Sequence, residues 1–523
     1  MKKYLIAACL LVASVATQAQ MRVNLGENSP LNKLRIAEMA ITNLYVDTLS
    51  EEKLVEDAIR GMLEKLDPHS SYTTAKETKA LTEPLTGSFE GVGIQFNMSK
   101  DTLLIIQPVV NGPSEKVGIL AGDRILTVND TTIAGVKMSR EEIMKRLRGP
   151  KGTKVKLGIM RRGVNDMLYF IVKRDKIPVK TLDATYMIRP QVGYVRIGSF
   201  GATTYDEFMT AVSTLQQQGM RKLILDLQDN GGGYLQAAVR IANEFLQRND
   251  LIVYTQGRNA QRQEFRAQGN GKLKDVEVVV LVNEFSASAA EIVTGAIQDQ
   301  DRGQVVGRRS FGKGLVQRPI EFKDGSMMRL TIAHYYTPAG RCIQKPYTKG
   351  EGQDYALELD QRYKHGELYS ADSIHFSDSL KCYTLRKHRT VYGGGGIMPD
   401  IFVPLDTTQY TNFHRKLSAH GLIINANLNY IDQQRRVLKK KYSTFATFNK
   451  NFEVPTSLID SLIEEGRKQK ITPKDDTELQ QALPSLRLQL KALIARDLWD
   501  MSEYYQVMNE NNHTVQRAIS LLQ

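Results

Sequence analysis

The sequence predicts a multidomain fold in which an α/β core is preceded by a β-rich segment and flanked by two helical regions. From residue 176 to residue 405, aliphatic and β-branched runs alternate with segments of helical periodicity, which is typical of a central sheet covered by helices. Residues 86–175 show short strand-like runs between glycine turns. Residues 28–85 and 406–523 carry apolar side chains at helical spacing, so we expect helices there.

The composition is that of a globular chain rather than of a nucleic-acid-binding one. Of 523 residues, 41% are hydrophobic, which is ample for packed cores. The formal net charge is +13, but the basic residues are scattered apart from one short cluster at residues 435–441. A solvated helix face explains that cluster better than a nucleic-acid or membrane surface does. We therefore expect no nucleic-acid partner.

The first residues have the pattern of a secretory signal. Lys2 and Lys3 precede an apolar run at residues 4–16, and a small-residue cleavage site closes a predicted signal peptide at residues 1–19. The run is too short to cross a membrane, and no other stretch approaches the required ~20 apolar residues. A lipoprotein-type box ending at Cys9 is the weaker alternative, because almost no apolar region precedes it. We expect the protein to be exported and to have no transmembrane segment after cleavage. The periplasm is the favoured compartment, and an extracellular or membrane-associated location is the alternative.

A buried strand running into a helix marks the first candidate catalytic position. The segment VVVLVNEFSASAAEI, residues 278–292, changes from β-branched residues to small residues at helical spacing. Ser288 then lies near a helix N-terminus, where free N–H groups and the helix dipole suit a serine whose attack creates an oxyanion. The alternative for this segment alone is a serine that serves only as a helix N-cap.

A lysine in a glycine-flanked turn is the second candidate. Lys313 lies in GRRSFGKGLVQ, residues 307–317, between two strand-like runs. Burial disfavours the charged form of a lysine, and a neutral amine can act as the general base of a serine. Serine–lysine pairs are a known variant of the catalytic triad. The alternative is a solvated surface charge.

Together with LDLQDNGGG at residues 225–233, these two segments resemble motifs of the carboxy-terminal processing proteases, and all three occur in the order found in that family. Members of the family are serine peptidases with a Ser/Lys dyad and a PDZ domain. The resemblance implies that Ser288 is the nucleophile, Lys313 the general base and Gln317 the residue that orients the lysine. It also implies an oxyanion hole made by the backbone amides of Gly233 and Ala289.

The sequence departs from the family pattern at two positions. Gln228 stands where the family usually has Arg, and Ala290 where a third Ser is common. Neither position belongs to the predicted dyad.

The β-rich segment resembles a PDZ domain. FEGVGIQF at residues 89–96 is similar to the carboxylate-binding loop and following strand, and residues 112–126 are similar to the helix, turn and strand that come next. In such a loop the backbone amides cradle a C-terminal carboxylate, and the strand edge accepts an extended peptide. An ordinary glycine hairpin is the alternative. The predicted peptide-binding residues are Gly91, Val92, Gly93 and Ile94.

Family motifs also bracket an insertion. YYTPAGRCIQ at residues 335–344 is normally followed closely by a segment that appears here only at residues 396–401. We expect the polar stretch between them, about residues 345–392, to be a surface excursion. The resemblance assigns no role to the C-terminal extension, in which Pro455, Pro473 and Pro484 are expected to separate helices.

Competing sites are disfavoured by their spacing. Residues 307–313 fit a phosphate-binding loop, but Gly314 replaces the required Ser or Thr and a strand-like run replaces the helix. His334 could be imagined as the base of the serine, although a half-buried strand residue is the better interpretation. The histidines and cysteines show no HxH, HExxH or CxxC spacing, so neither a metal nor another cofactor is expected.

Two cysteines, Cys342 and Cys382, remain after signal cleavage and bracket most of the insertion. Because disulfides persist outside the cytosol, we expect the two to be bridged, with two independent thiols as the alternative.

The predicted function is that of an exported serine endopeptidase that binds protein C-termini through its PDZ domain and cleaves them at Ser288. The expected partners are protein or peptide substrates bound by their C-terminal tails, with a second copy of the chain or an adaptor protein as further candidates. The alternative is a catalytically silent, PDZ-bearing peptide-binding protein of the cell envelope. The presence of both Ser288 and Lys313 argues against that alternative.

Overall fold

The structure is a computed structural model that describes residues 29–99, 101–406, 408 and 410–523. The predicted signal peptide, residues 1–19, lies outside the described residues. Within them, every helix is too short or too polar to cross a bilayer. The chain divides into two compact units that meet in sequence between Leu63 and Glu64.

The first unit contains two helices, α1 (Pro30–Leu44) and α2 (Glu51–Glu64). Pro30 suits the first position of α1, where a backbone N–H has no helical acceptor, and the Ser29 side chain accepts from the N–H of Leu31. The predicted helices are therefore present. The apolar stripe predicted on α1 is exposed, with Leu44 81% accessible.

A β-rich region opens the second unit. Its elements are β1 (Ser71–Thr73), α3 (Ala75–Thr82), β2 (Ser88–Gly91), β3 (Ile94–Ser99), β4 (Thr102–Pro108), α4 (Pro113–Lys116), β5 (Arg124–Val128), β6 (Thr131–Thr132), α5 (Arg140–Leu147), β7 (Lys154–Met160), β8 (Leu168–Lys173) and β9 (Asp175–Pro178). An antiparallel sheet runs in the order β3-β4-β5-β7-β8, with β6 on β5, while β2 pairs with β9. Leu103, Ile125 and Ile159 of the sheet pack with Ile143 of α5 in one core. Strand β3 is an edge of this sheet.

Strands and helices alternate in the following region, as predicted. Its elements are β10 (Leu182–Arg189), β11 (Val192–Ile197), α6 (Thr204–Gln217), β12 (Lys222–Asp226), α7 (Leu235–Asn243), β13 (Leu251–Gln256), β14 (Gln263–Arg266), β15 (Glu277–Val282), α8 (Ala289–Asp299), β16 (Gln304–Gly307), β17 (Leu315–Glu321), β18 (Met327–Tyr336), α9 (Gly352–Lys364), β19 (Lys381–Tyr383), β20 (Thr390–Tyr392) and β21 (Ile401–Phe402). Two short 3₁₀ turns, Ala371–Ser373 and Asp378–Leu380, lie between α9 and β19.

The C-terminal region is helical. Its helices are α10 (Asn412–Ala419), α11 (Leu422–Lys441), α12 (Phe445–Asn451), α13 (Thr456–Lys468), α14 (Asp476–Leu498), α15 (Met501–Met508) and α16 (His513–Leu522). Pro455 and Pro473 precede helices, but the expectation that Pro484 ends one is wrong, because α14 continues through it. Leu486 and Leu490 follow Pro484 in the same helix and are fully buried in the core of this region. Their burial offsets the cost of ~3 kcal/mol that a proline inside a helix imposes.

The central sheet runs in the order β10-β11-β12-β15-β16-β21 and is parallel apart from β10. Alternate residues of β15 face opposite sides: Val278 and Val280 pack in the cluster that holds helices α6, α7 and α8. Val279 and Leu281 pack instead against α16, whose Ile519 is 3% exposed. The last helix of the chain thus covers the second face of the central sheet.

A second sheet receives a strand from the region predicted to be only helical. It has the order β1-β18-β13-β14, with β17 also on β18. Ser71, Tyr72 and Thr73 of β1 pair with residues 327–329 of β18. The sequence prediction missed β1 because three residues carry too little periodicity to identify a strand.

Two further expectations are wrong. Cys342 and Cys382 are free thiols in the structure, and the Cys342 Sγ lies 3.8 Å from the His334 Nδ1. The insertion is not a surface excursion throughout, since Tyr355 and Arg362 of α9 are buried at 7% and 2% exposure. Neither result could be read from spacing, because both depend on where the insertion folds back.

The packing of α16 yields a stability prediction. Ile519→Ala should lower the free energy of unfolding by about 2–5 kcal/mol, because it removes buried methyl groups between a helix and a sheet. Ser520→Ala, at the neighbouring exposed position, is the matched control and should stay within about 0.5 kcal/mol of wild type. Urea unfolding of both variants measures the difference. Equal midpoints would contradict the packing of α16 on the sheet.

Candidate active site

Ser288 lies in the crossover between β15 and α8, directly before the first helical residue, Ala289. Its backbone has φ 55° and ψ −111°, a conformation that L-residues rarely adopt. Such strain is tolerated where the surroundings impose it, and it is concentrated at functional sites. The strand and the helix therefore present a half-buried serine in a fixed, unusual orientation.

The glycine-rich loop after β12 lies against this serine. The Asn230 side chain donates to the Ile197 carbonyl (2.7 Å) and accepts from the N–H of Gly232 (2.8 Å). The Asn230 carbonyl accepts from the N–H of Ala287, next to Ser288 (2.9 Å). A Cβ on Gly232 would lie 2.8 Å from the Cβ of Ser288, so the close approach requires glycine.

Two backbone amides near Ser288 are available to a ligand. Within the described residues, the N–H groups of Gly233 and Ala289 have no hydrogen-bond acceptor. Ala289 is the first residue of α8, where helix geometry leaves N–H groups unpaired and the dipole favours negative charge. Gly233 has φ +144° and is held by a bridge to Phe200.

Lys313 lies in the loop between β16 and β17. Its Nζ donates to the Gln317 Oε1 (3.4 Å), and the Gln317 Nε2 donates to the His69 carbonyl (2.7 Å). Burial lowers the pKa of Lys313, and the positive charge of Arg329 lowers it further, against the smaller opposing effects of Glu291 and Asp67. The lysine is thus shifted toward its neutral form.

Glu291, a fully buried residue of α8, joins the two loops. Its Oε2 accepts from the backbone N–H groups of Ser288 (2.8 Å) and Lys313 (2.9 Å). Its Oε1 accepts from the Ser310 hydroxyl (2.6 Å) and the N–H of Gly312 (2.7 Å). Burial raises the pKa of Glu291, and the four donated hydrogen bonds act in the opposite direction.

Tyr335 makes a second link, because its hydroxyl lies within hydrogen-bond reach of the carbonyls of both Ser288 (3.2 Å) and Lys313 and can donate its one proton to either. The structure therefore brings the two predicted loops together. Sequence reasoning assigned no role to Glu291 or Tyr335. The signal for Glu291 was present as the capping-box spacing of Ser288 and Glu291, whereas Tyr335 is the first residue of the motif YYTPAGRCIQ, residues 335–344, to which no role at the site was assigned.

The departure at Gln228 has a structural counterpart. The Gln228 Nε2 donates to the Asp226 Oδ1 (3.2 Å), and the positive charge beside Asp226 is supplied by Arg196 of β11, whose NH1 lies 3.0 Å from the Asp226 Oδ2. Arg196 also contacts Asp229 through its NH2 (2.9 Å). A buried guanidinium from β11 therefore lies beside the Asp226 carboxylate of this loop.

The predicted peptide-binding loop borders a cavity of about 290 Å³ between β3 and α5. The Val92 carbonyl accepts from the backbone N–H and hydroxyl of Ser114 (3.1 and 2.7 Å), and the Gly93 carbonyl accepts from the N–H of Val109 (3.0 Å). These carbonyls therefore bond to the domain's own interior. Residues that line the cavity are Phe89, Gly91, Val92, Gly93, Ile94, Gln95, Phe96, Arg140, Met144, Leu147 and Arg148.

The competing sites do not assemble. His334 is a half-buried residue of β18 whose ring lies beside Cys342. The segment after Lys313 is strand β17 rather than the helix that a phosphate-binding loop requires. Across the part of the chain that the structure describes, no three His, Cys, Asp or Glu side chains gather as metal ligands.

Models of known families match four segments of the chain. They are "Peptidase family S41" at residues 191–352, "PDZ domain" at residues 91–170, "Activating protease CtpB N-terminal domain" at residues 8–78 and "Family of unknown function (DUF8443)" at residues 413–500. The predicted PDZ domain and protease core thus each receive a match, in the predicted order.

Individual relatives extend these matches. Carboxy-terminal processing protease CtpA of Bacillus subtilis is 36% identical over 349 residues, or 65% of this chain and 74% of the relative. The carboxy-terminal-processing protease of Bartonella bacilliformis is 35% identical over 416 residues, or 77% and 92% of the two chains. A solved structure of the photosystem II D1 C-terminal processing protease is 31% identical, with 59% of this chain and 89% of that chain covered and a TM-score of 0.34. By the identity and extent of the sequence matches, the chain belongs to the carboxy-terminal processing proteases of peptidase family S41 and is a serine-type peptidase.

Proposed function

We propose that this chain is an endopeptidase that binds a protein's C-terminal tail in the PDZ groove and cleaves the chain by acyl transfer to Ser288, with Lys313 as general base. One observation carries the proposal: the buried Glu291 carboxylate accepts from the N–H groups of both Ser288 and Lys313. The backbone segments that carry a serine at a helix N-terminus and a buried lysine with a lowered pKa are thereby held together. A serine nucleophile requires an adjacent base of this kind.

The chemistry follows from the groups at the site. The neutral Lys313 amine takes the proton of the Ser288 hydroxyl as its oxygen attacks the scissile carbonyl carbon. The resulting oxyanion accepts hydrogen bonds from the N–H groups of Gly233 and Ala289. The Lys313 ammonium returns the proton to the leaving amine as the C–N bond breaks. Lys313 then deprotonates a water molecule, whose oxygen attacks the acyl ester carbon, and the Lys313 ammonium returns the proton to the Ser288 oxygen as the ester C–O bond breaks.

Gln317 orients the lysine in this scheme. Its amide oxygen accepts from the Lys313 Nζ while its amide nitrogen is held by the His69 carbonyl, which fixes the direction of the amide group. This hydrogen bond restrains the Lys313 side chain. A general base must lie within hydrogen-bond reach of the proton it abstracts, so this restraint favours the reactive arrangement.

Recognition of C-termini rests on the loop Gly91, Val92, Gly93 and Ile94 and on the edge strand β3. The Val92 and Gly93 carbonyls point inward to Ser114 and Val109, which leaves the amide side of the loop to the cavity. Amides cradle the terminal carboxylate, and the tail extends the sheet beside β3. The mostly apolar lining of the cavity favours an apolar last residue.

We also propose export to the cell envelope, on the signal-like residues 1–19, with the periplasm as the expected compartment. The proposed domains are the helical region 28–85, the PDZ domain 86–175, the protease core 176–405 and the helical region 406–523. Substrates bound by their tails are the primary partners. A second copy or an adaptor protein would be an additional partner, and no cofactor enters the reaction.

The dyad yields a kinetic prediction. Ser288→Ala and Lys313→Ala should each lower kcat by about 10⁴-fold or more, and the double variant should be no worse, because the two residues act as a unit. Degradation of an unfolded protein with an apolar C-terminus measures this. His334→Gln is the control and should retain wild-type turnover. Wild-type turnover in Lys313→Ala would contradict the proposal, and tail binding without Ser288-dependent cleavage would support the silent binding protein.

The lowered pKa of Lys313 yields a pH dependence. Only the neutral amine accepts a proton, so kcat/KM should rise with pH and level off below the ordinary lysine value of ~10.4. The profile should be the same in the His334→Gln variant. A rate that stays constant from pH 5 to pH 10 would show that no lysine titration limits the reaction.

The PDZ groove yields a binding prediction. Peptides that end in a free apolar carboxylate should bind the full-length Ser288→Ala variant, and amidation of the C-terminus should weaken binding about 10- to 100-fold, because the loop amides lose a charged acceptor. Titration of a labelled peptide measures both affinities. Equal affinities for the acid and the amide would remove the carboxylate-binding role from the loop.

A further inference from the structure

Helix α9 of the insertion lies against the loop that carries Lys313. Arg362 of α9 is 2% exposed, and its guanidinium donates to the carbonyls of Ser310 (2.8 Å) and Phe311 (3.0 Å). These carbonyls belong to the two successive peptide units that join Ser310 to Phe311 and Phe311 to Gly312, the residue before Lys313. A rigid planar guanidinium therefore fixes two successive peptide groups of the catalytic loop.

The charge of Arg362 is balanced inside the insertion. Glu358, one turn earlier on α9, accepts from the Arg362 Nε (2.5 Å) and from the Lys345 Nζ (2.9 Å). Lys345 is 1% exposed, and its ammonium lies 4.1 Å from the ring centroid of Phe311 and 4.0 Å from that of Tyr355. Buried charges are stable only when they are paired in this way. The insertion therefore docks on the loop by a specific buried network rather than by loose surface contact.

A second connection runs from Tyr355 through the ring and the backbone carbonyl of His69, and then through the Gln317 side chain, to the amine of Lys313. The Tyr355 hydroxyl lies 2.8 Å from the His69 Nε2, the His69 carbonyl accepts from the Gln317 Nε2 (2.7 Å), and the Gln317 Oε1 accepts from the Lys313 Nζ (3.4 Å). Burial and the charge of Lys313 lower the pKa of His69 to about 4, so its ring is neutral at neutral pH. A neutral imidazole pairs with a hydroxyl without adding charge beside the lysine.

A third connection joins Tyr355 to the other side of the same loop. Gln344 donates from its Nε2 to the Tyr355 hydroxyl (3.2 Å) and accepts at its Oε1 from the N–H of Gly314 (2.8 Å). Gly312, with φ +88°, and Gly314 flank Lys313. Glycines allow the loop many conformations, so outside contacts must select the reactive one.

We propose that the insertion, residues 345–392, is a positioning element of the active site, in which Arg362 fixes the backbone of the Lys313 loop and Tyr355 fixes the orientation of Gln317 through His69. Neither residue touches the reacting atoms. Both act through Lys313, so the inference rests on the proposed Ser/Lys mechanism.

Steady-state kinetics on a tail-bearing substrate, with the full-length chain, tests the inference. Tyr355→Phe removes one hydroxyl and should lower kcat about 10-fold with KM unchanged within 2-fold. Arg362→Met should lower kcat about 100-fold, the order of loss expected for a catalytic group displaced by ~1 Å, and Arg362→Lys should recover part of it. Tyr363→Phe and Lys364→Met, at exposed positions of the same helix, are the matched controls and should behave like wild type.

Two readouts separate positioning from a purely structural role. In a Gln317→Ala background, Tyr355→Phe should cause a clearly smaller loss than in the wild-type background, because only the contact through Gln344 to Gly314 then remains to be disturbed. In the wild-type background, Tyr355→Phe should move the rising limb of the pH–rate profile to lower pH, because a misoriented amide no longer stabilises the Lys313 ammonium. Multiplicative losses together with an unchanged limb would overturn the inference.

The outcomes also remain distinct from failure of the proposed mechanism. If turnover depends on Ser288 and Lys313 but Tyr355→Phe and Arg362→Met match their controls, the inference fails and the mechanism stands. If turnover is independent of Ser288 or Lys313, the mechanism itself fails. Should Arg362→Met not fold, the single-oxygen change in Tyr355→Phe decides alone.

Discussion

The arrangement of the active site depends on one buried carboxylate. Glu291 receives hydrogen bonds from the crossover that carries Ser288 and from the loop that carries Lys313, so a single side chain sets the relation between two segments that are distant in sequence. A carboxylate buried without such partners would be very costly, and the same bonds that offset the cost fix the geometry. The strained backbone of Ser288 is held by this restraint at the first turn of α8.

The central sheet supplies the rigidity that this restraint needs. The carboxyl ends of β12, β15 and β16 bring the glycine-rich loop, the serine crossover and the lysine loop to one edge, as parallel topology requires. Val279 and Leu281 of β15 would face solvent without α16, so the last helix of the chain completes the scaffold of the site. Helix α16 of the C-terminal region thus packs directly on the sheet that carries the site.

Side chains from neighbouring and distant segments supply charge beside the short motifs of the site. Arg196 from a neighbouring strand supplies the cation beside Asp226 that position 228 lacks. Glu358 forms buried ion pairs with Arg362 and Lys345. These pairs lie where the insertion, residues 345–392, contacts the loop that carries Lys313. Both cases show polar groups from distant segments converging on short motifs, with each charge compensated.

The sequence by itself determined the alternation of strands and helices, the PDZ-like segment, and the two short motifs around Ser288 and Lys313, because these depend on local periodicity and on residue types at fixed spacing. Only the tertiary structure decided that β1 joins β18, that α16 packs on the sheet, that Cys342 and Cys382 are unbridged thiols, and that α9 docks on the lysine loop. These features are contacts between residues far apart in the chain. Their free energy comes from burial and pairing that no local pattern encodes.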